Sequence, residues 1–179
     1  MTFTMEKAGK LALICAVSAR LLGIINSITE PIIAERKKIE LQNALISLIE
    51  EGNPGEREDL EQGIINSRYP IVGPGGWILD MTGKGYGGGL KILASYKPDG
   101  TVMDVVLMDN SETPGLGKKA EKSSYMEKFR GKGGSDPVPV SKDMIQESPD
   151  TITGATITFS GIANTVKEGS DYVKTLGDN

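Results

Sequence analysis

The sequence predicts an α+β fold: one domain built on a small β-sheet flanked by helices, preceded by a single N-terminal transmembrane helix. Three observations carry that reading. An apolar run near the N-terminus (Leu11–Thr29) is long enough to cross a bilayer, short strand-like segments with turn signals fill the middle, and an amphipathic segment lies at the C-terminal end. At 179 residues there is room for one domain and an appendage, and with 5% aromatic residues the core must be aliphatic.

As a helix, Leu11–Thr29 would be about 28 Å long. Its nine Leu, Ile and Val residues favour insertion by roughly 4 kcal/mol, while Arg20 near the middle takes back about 2.5–3.5 kcal/mol. A span so nearly balanced is expected to pack against other membrane subunits, with Arg20 turned to a partner group or the headgroups. Lys7 and Lys10 before Leu11–Val17 also fit a secretory signal cleaved after Val17-Ser18-Ala19, but retention as an anchor is the expectation. A lipoprotein anchor at Cys15 is disfavoured by Ile14. Lys7 and Lys10 on one side balance Arg36, Lys37 and Lys38 on the other, so charge does not set the orientation.

Beyond Pro31, apolar residues from Ile32 to Ile49 mark a linker helix that ends before Gly52-Asn53-Pro54-Gly55. Trp77–Asp80, Leu90–Tyr96 and Thr101–Met108 read as strands, the last two joined by a turn at Pro98-Asp99-Gly100. Lys118–Phe129 reads as a helix, Gly131–Pro139 as loop, and Gly161–Leu176 as a C-terminal helix. The expected organisation is a tail over residues 1–10, a transmembrane helix over 11–29, a linker helix over 30–52 and a domain over 53–179.

Composition excludes much chemistry. There is no histidine, and Cys15 is the only cysteine, which removes Ser-His-Asp and Cys-His triads, histidine-ligated haem, cysteine-ligated iron–sulfur clusters and nearly every zinc site. A net charge of −4, with no basic run longer than Arg36-Lys37-Lys38, argues against nucleic acid as a partner. Any redox work must use an imported group.

Three segments stand out. Gly83-Lys84-Gly85-Tyr86-Gly87-Gly88-Gly89 reads either as a backbone cradle for a phosphate or as a hairpin loop. Glu112-Thr113-Pro114-Gly115-Leu116-Gly117 follows a predicted strand and contains a type II turn pair. Asp150–Thr158 places hydroxyls at Thr151, Thr153, Thr156 and Thr158 around Gly154-Ala155; locally it reads as a β-strand or a helix N-cap as readily as a site.

In this order, and together with Asn26-Ser27-Ile28-Thr29 and Phe129-Arg130-Gly131-Lys132, these motifs resemble the G subunit of the Rnf electron-transport complex, a family related to the C subunit of the sodium-pumping NADH:quinone reductase. The resemblance covers nearly the whole chain. It implies an FMN-binding domain in which the last threonine of Asp-x-x-Thr-Gly-Ala-Thr, Thr156, carries FMN by a phosphoester, with Thr153, Gly154, Ala155 and Thr158 beside it. Glu112, Thr113, Pro114, Gly115, Leu116 and Gly117, with Tyr86, Gly87 and Gly88, are implied to surround the ring, and Asp150 to be read by the flavin transferase that attaches it.

The implied function is that of a membrane-anchored electron carrier within an Rnf-type ferredoxin:NAD oxidoreductase coupled to sodium or proton movement, a subunit with no complete catalytic site of its own. Its implied partners are the other Rnf subunits and, during maturation, the transferase. Its implied location is the cell membrane, single-pass, with the FMN domain outside the cytoplasm. The quinone-reductase C subunit and a secreted non-redox binding module are the alternatives. The chain departs from the family pattern at Thr153, where serine is more usual, at Phe159, where a small hydroxyl residue is usual, and at Arg20.

Overall fold

The computed structural model describes residues 2–110, 120–141, 144–145 and 156–177. It divides the chain into two compact units, Met1–Gln42 and Asn43–Asn179.

The first unit is helix. Helix α1 (Thr2–Ser47) is continuous through Pro31, whereas the sequence reading starts a new helix after Thr29. Proline at this position cannot donate to the carbonyl of Ser27. The hydroxyls in the turn before it bond back along the helix: Ser27 Oγ donates to Gly23 O at 2.9 Å and Thr29 Oγ1 to Ile25 O at 2.5 Å. Lys7–Ser47 is long and apolar enough to cross a membrane, and Leu13, Leu22 and Ile28 on it are each more than 60% exposed.

The second unit is an antiparallel sheet with helices against it. Its strands are β1 (Asn53–Pro54), β2 (Glu58–Gln62), β3 (Ile65–Val72), β4 (Trp77–Lys84), β5 (Gly89–Tyr96) and β6 (Val102–Asn110). The order is β1-β3-β4-β5-β6, with β2 also paired to β3. The three predicted strands appear as β4, β5 and β6, each longer by one to four residues at an end. The expected turn closes β5 onto β6: Gly100 has φ +81°, Lys97 N–H donates to Thr101 O at 2.8 Å, and Thr101 N–H donates to Asp99 Oδ1 at 2.9 Å.

Helix α2 (Ser123–Met126) continues as one 3-10 turn, Glu127–Phe129, so the described part of the expected helix over 118–129 is shorter than its sequence pattern. Helix α3 (Thr156–Gly177) begins five residues before the expected start. Thr156 and Thr158 are therefore helical, and the strand reading of that stretch fails for them.

Strand alternation sorts the sheet residues by face. Leu79, Met81, Leu90, Ile92, Ala94 and Tyr96 point to one side and are fully buried, in one cluster with Phe159, Ile162, Ala163, Val166 and Val173 of α3. Each of the larger aliphatic side chains among them contributes about 1.5–3 kcal/mol of apolar burial. Ile78 and Leu93, also fully buried, face the other way, and Ala44 and Leu45 at the end of α1 and Leu48 just after it are buried as well.

Candidate functional site

The path of α3 across the sheet determines what can meet. Gly161 lies against the carbonyl oxygen of Lys84 and a methyl of Leu90, and Gly169 against Tyr96 and Met81. Farther along, Ser170 Oγ donates to Gly100 O at 2.7 Å. The helix thus runs from the β4–β5 hairpin toward the β5–β6 turn. Thr156, five residues before Gly161 and so about 7.5 Å farther back along the helix, starts α3 at the β4–β5 hairpin end.

Glycine permits this approach. A β-carbon on Gly161 would overlap the Lys84 carbonyl, and one on Gly83 would overlap Thr165 Oγ1, which itself donates to Gly161 O at 2.8 Å. Tyr96 braces the same contact, its buried hydroxyl donating to Val166 O at 3.0 Å. Burial raises the pKa of this phenol well above its ordinary value.

The glycine-rich segment forms a hairpin. Lys84 pairs with Gly89, Gly85 N–H donates to Gly88 O at 2.7 Å, and Gly88 has φ +143°. Only glycine adopts that last conformation readily. At the tip, the Tyr86 side chain is 72% exposed.

Strand β6 leads to the same end. Leu90 is paired with Asn110, the last residue of β6, and Asn110 Nδ2 donates to Glu121 Oε1 at 3.0 Å. A depression of about 240 Å³ here is lined by Thr82, Gly89, Leu90, Lys91, Asp109 and Asn110. Next to it, Asp80 is buried on the face away from α3, with Lys91 Nζ and Asn66 Nδ2 each 3.4 Å from its carboxylate.

Of the residues singled out from sequence, Tyr86, Gly87 and Gly88 form the hairpin tip, and Thr156 is exposed on the first residue of α3. Thr158 is 1% exposed. Glu112, Thr113, Pro114, Gly115, Leu116, Gly117, Asp150, Thr153, Gly154 and Ala155 lie outside the described residues. Among the described residues, the hairpin tip, the end of β6 at Asn110 and Thr156 at the printed start of α3 lie at one end of the sheet.

Sequence reasoning missed the aromatic floor beside that edge. Phe129 and Phe159 stack with centroids 5.9 Å apart, and Lys128 Nζ lies 3.2 Å from the Tyr125 ring centroid and 5.8 Å from that of Phe159. Burial pushes the Tyr125 phenol up to about 12. The available signal was Phe129 within Phe129-Arg130-Gly131-Lys132, together with the unusual Phe159.

The edge offers an exposed hydroxyl at Thr156, the first described residue of a long helix. It also offers an exposed aromatic ring and close-lying backbone. No group of three or more carboxylate, histidine or cysteine side chains placed to hold a metal occurs among the described residues.

Comparison with known proteins identifies the family. A family described as FMN-binding domain matches residues 85–171, from the hairpin tip to the third quarter of α3. The G subunit of the proton-translocating ferredoxin:NAD(+) oxidoreductase complex of Clostridium ljungdahlii is 29% identical, over 93% of this chain and 89% of that protein. The G subunit of the ion-translocating oxidoreductase complex of Cereibacter sphaeroides (strain ATCC 17023) is 29% identical over 89% of this chain and 79% of that protein. Its namesake from Escherichia coli O157:H7 is 32% identical over 98% of this chain and 94% of that protein. On that extent of similarity, this chain belongs to the G-subunit family of ion-translocating oxidoreductase complexes.

Proposed function

We propose that the chain carries FMN as a phosphoester on Thr156 and relays electrons between redox centres of an Rnf-type ferredoxin:NAD oxidoreductase complex that moves sodium or protons across a membrane. The observation that carries this reading is the convergence at one sheet edge of the hairpin tip Gly85–Gly88, the end of β6 and the exposed Thr156.

The residues present fit a phosphate-bearing flavin. A phosphoester on Thr156 would lie at the N-terminal end of α3, where the helix dipole favours negative charge. The exposed Tyr86 ring supplies a surface for stacking. Thr158 is buried where Thr156 is exposed, which favours Thr156 as the acceptor. When bound, FMN supplies one- and two-electron chemistry that none of these side chains has. Linkage through the phosphate leaves the ring unmodified and removes dissociation as an outcome, so the carrier stays in place.

A threonine hydroxyl is a weak nucleophile and needs an enzyme to activate it. A magnesium-dependent flavin transferase supplies this. Thr156 Oγ1 attacks the FMN phosphorus of FAD, the phosphorus–oxygen bond to AMP breaks, AMP leaves and the hydroxyl proton is released. Asp150 is read by the transferase; Thr153, Gly154 and Ala155 keep the acceptor loop slim, and Glu112–Gly117 border the ring. The α1 helix crosses the membrane once and holds the domain on the extracytoplasmic side. No base is needed for electron relay, in keeping with a chain without histidine.

Co-expression with a flavin transferase tests the reading. The parent should give a fluorescent band on a denaturing gel and the Thr156→Ala variant none, with loss of ferredoxin-to-NAD electron transfer in membranes that contain the variant. A fluorescent Thr156→Ala band would overturn it.

A further inference from the structure

Lys128 is turned into the protein where its neighbours in sequence are not. Arg130 and Lys132 lie at the surface, held by Asp104 at 2.7 Å and by Asp136 at 3.3 Å. The ammonium of Lys128 is buried, 3.2 Å from the Tyr125 ring centroid and 5.8 Å from that of Phe159. The hydroxyl of the same tyrosine is also buried and has no hydrogen-bond partner among the described residues. With its pKa pushed up to about 12, it stays a protonated donor at neutral pH.

Two elements bring this ammonium to the end of the sheet that holds Thr156. Glu121, bonded to Asn110 at the end of β6, leads within one turn to Tyr125, whose N–H donates to Lys122 O at 2.9 Å. Phe159 is three residues along α3 from Thr156, and residues three apart on a helix are neighbours whose side chains lean toward its N-terminus. Lys128 therefore lies beside the first turn of α3 on its buried side, while Thr156 is on its exposed side. Packing alone does not account for a charge here. An ammonium is costly to bury, and a methionine of similar length would cover the same rings without that cost.

We infer that Lys128, with the Tyr125 hydroxyl beside it, faces the flavin ring and raises its reduction potential, a role that rests on Thr156 as the FMN acceptor. The phosphate stays at the exposed threonine, and the ribityl chain leads the ring to the aromatic floor, where its carbonyl-bearing edge meets the two donors. Each electron taken up from one redox centre of the complex adds one negative charge to the ring until it leaves for the next centre. A positive charge held in a low-dielectric interior acts strongly on such a charge, so Lys128 favours the reduced ring without giving up its proton.

The test uses the full-length chain co-expressed with its flavin transferase and follows covalent loading, unfolding midpoint and the redox midpoint of the FMN. Lys128→Met should show the parent's fluorescent band on a denaturing gel and unfold no earlier than the parent, while its redox midpoint falls below the parent's. That gap should persist at high salt, since a buried charge is little screened. Lys128→Arg should keep the parent's redox midpoint, and Lys128→Gln, a polar replacement, should reproduce the fall. A parent-like redox midpoint in loaded Lys128→Met and Lys128→Gln, or a Lys128→Arg midpoint as low as theirs, would overturn the assignment while leaving Thr156 as the acceptor. Folded Lys128→Met and Lys128→Gln without flavin would place Lys128 on the attachment step and overturn it equally. A parent chain without covalent flavin would overturn the Thr156 reading and this role together.

Discussion

Gly161 of α3 rests directly on the backbone carbonyl of Lys84, with no space for a β-carbon between them. This contact sets how close the helix comes to the hairpin, and through it where Thr156 lies relative to Tyr86. Gly161→Ala should destabilise the domain by about 1–3 kcal/mol, as overpacking does, and reduce flavin loading. Gly89 has nothing within 4 Å of its β-carbon position, so Gly89→Ala should cost less than about 1 kcal/mol. Denaturant midpoints check both, and equal midpoints would show that the helix can shift without loss.

The sequence made β4, β5, β6 and the C-terminal helix legible because each has apolar spacing and clear turn residues. The first three strands lacked regular apolar spacing. Asn53–Pro54 is two residues long, Glu58–Gln62 contains one apolar residue, and β3 has Pro70 within it and a buried Ser67 where an apolar residue would signal a strand. A register shift between Ile65 and Ser67 moves the two residues to opposite faces and hides the alternation further. At the described end of the sheet, the hairpin tip, Asn110 and Thr156 are brought together by antiparallel pairing and by the direction of α3, long-range facts with no local signature.

Burial of Tyr96 and Tyr125 gives stability an alkaline limit. Both phenols are held neutral in the fold, with raised pKa values, and ionise in the unfolded chain near pH 10. Their contribution is complete below that pH and is lost as pH rises through the folded values. Unfolding midpoints should therefore drop above about pH 10, with phenolate absorbance appearing together with loss of helix signal. Tyr96→Phe should lower stability at neutral pH by about 1 kcal/mol through the lost bond to Val166 O, and flatten the alkaline slope. An unchanged slope would assign the alkaline limit to other groups.

Asp150 is expected to act in maturation rather than in folding. Asp150→Ala should give the same denaturant midpoint as the parent, within about 0.5 kcal/mol, and little bound flavin when expressed with the same transferase. Equal loading in the two proteins would remove Asp150 from recognition.

Glu112–Gly117 is expected to tune the flavin without holding it covalently. Valine in place of Gly115 removes the conformational freedom of glycine from the Pro114-Gly115 pair and adds a β-branched side chain there. The variant should keep its covalent FMN but shift its redox midpoint or absorption band. Spectra and potential identical to those of the parent would place this segment away from the ring.

The most direct test of covalent attachment is peptide mass mapping of the full-length protein co-expressed with its transferase. The proposal predicts one FMN, joined through phosphate to Thr156, on the peptide that spans Asp150 to Lys167. FMN mapped to Thr153 or Thr158, or a fully unmodified peptide from a flavin-containing preparation, would contradict it.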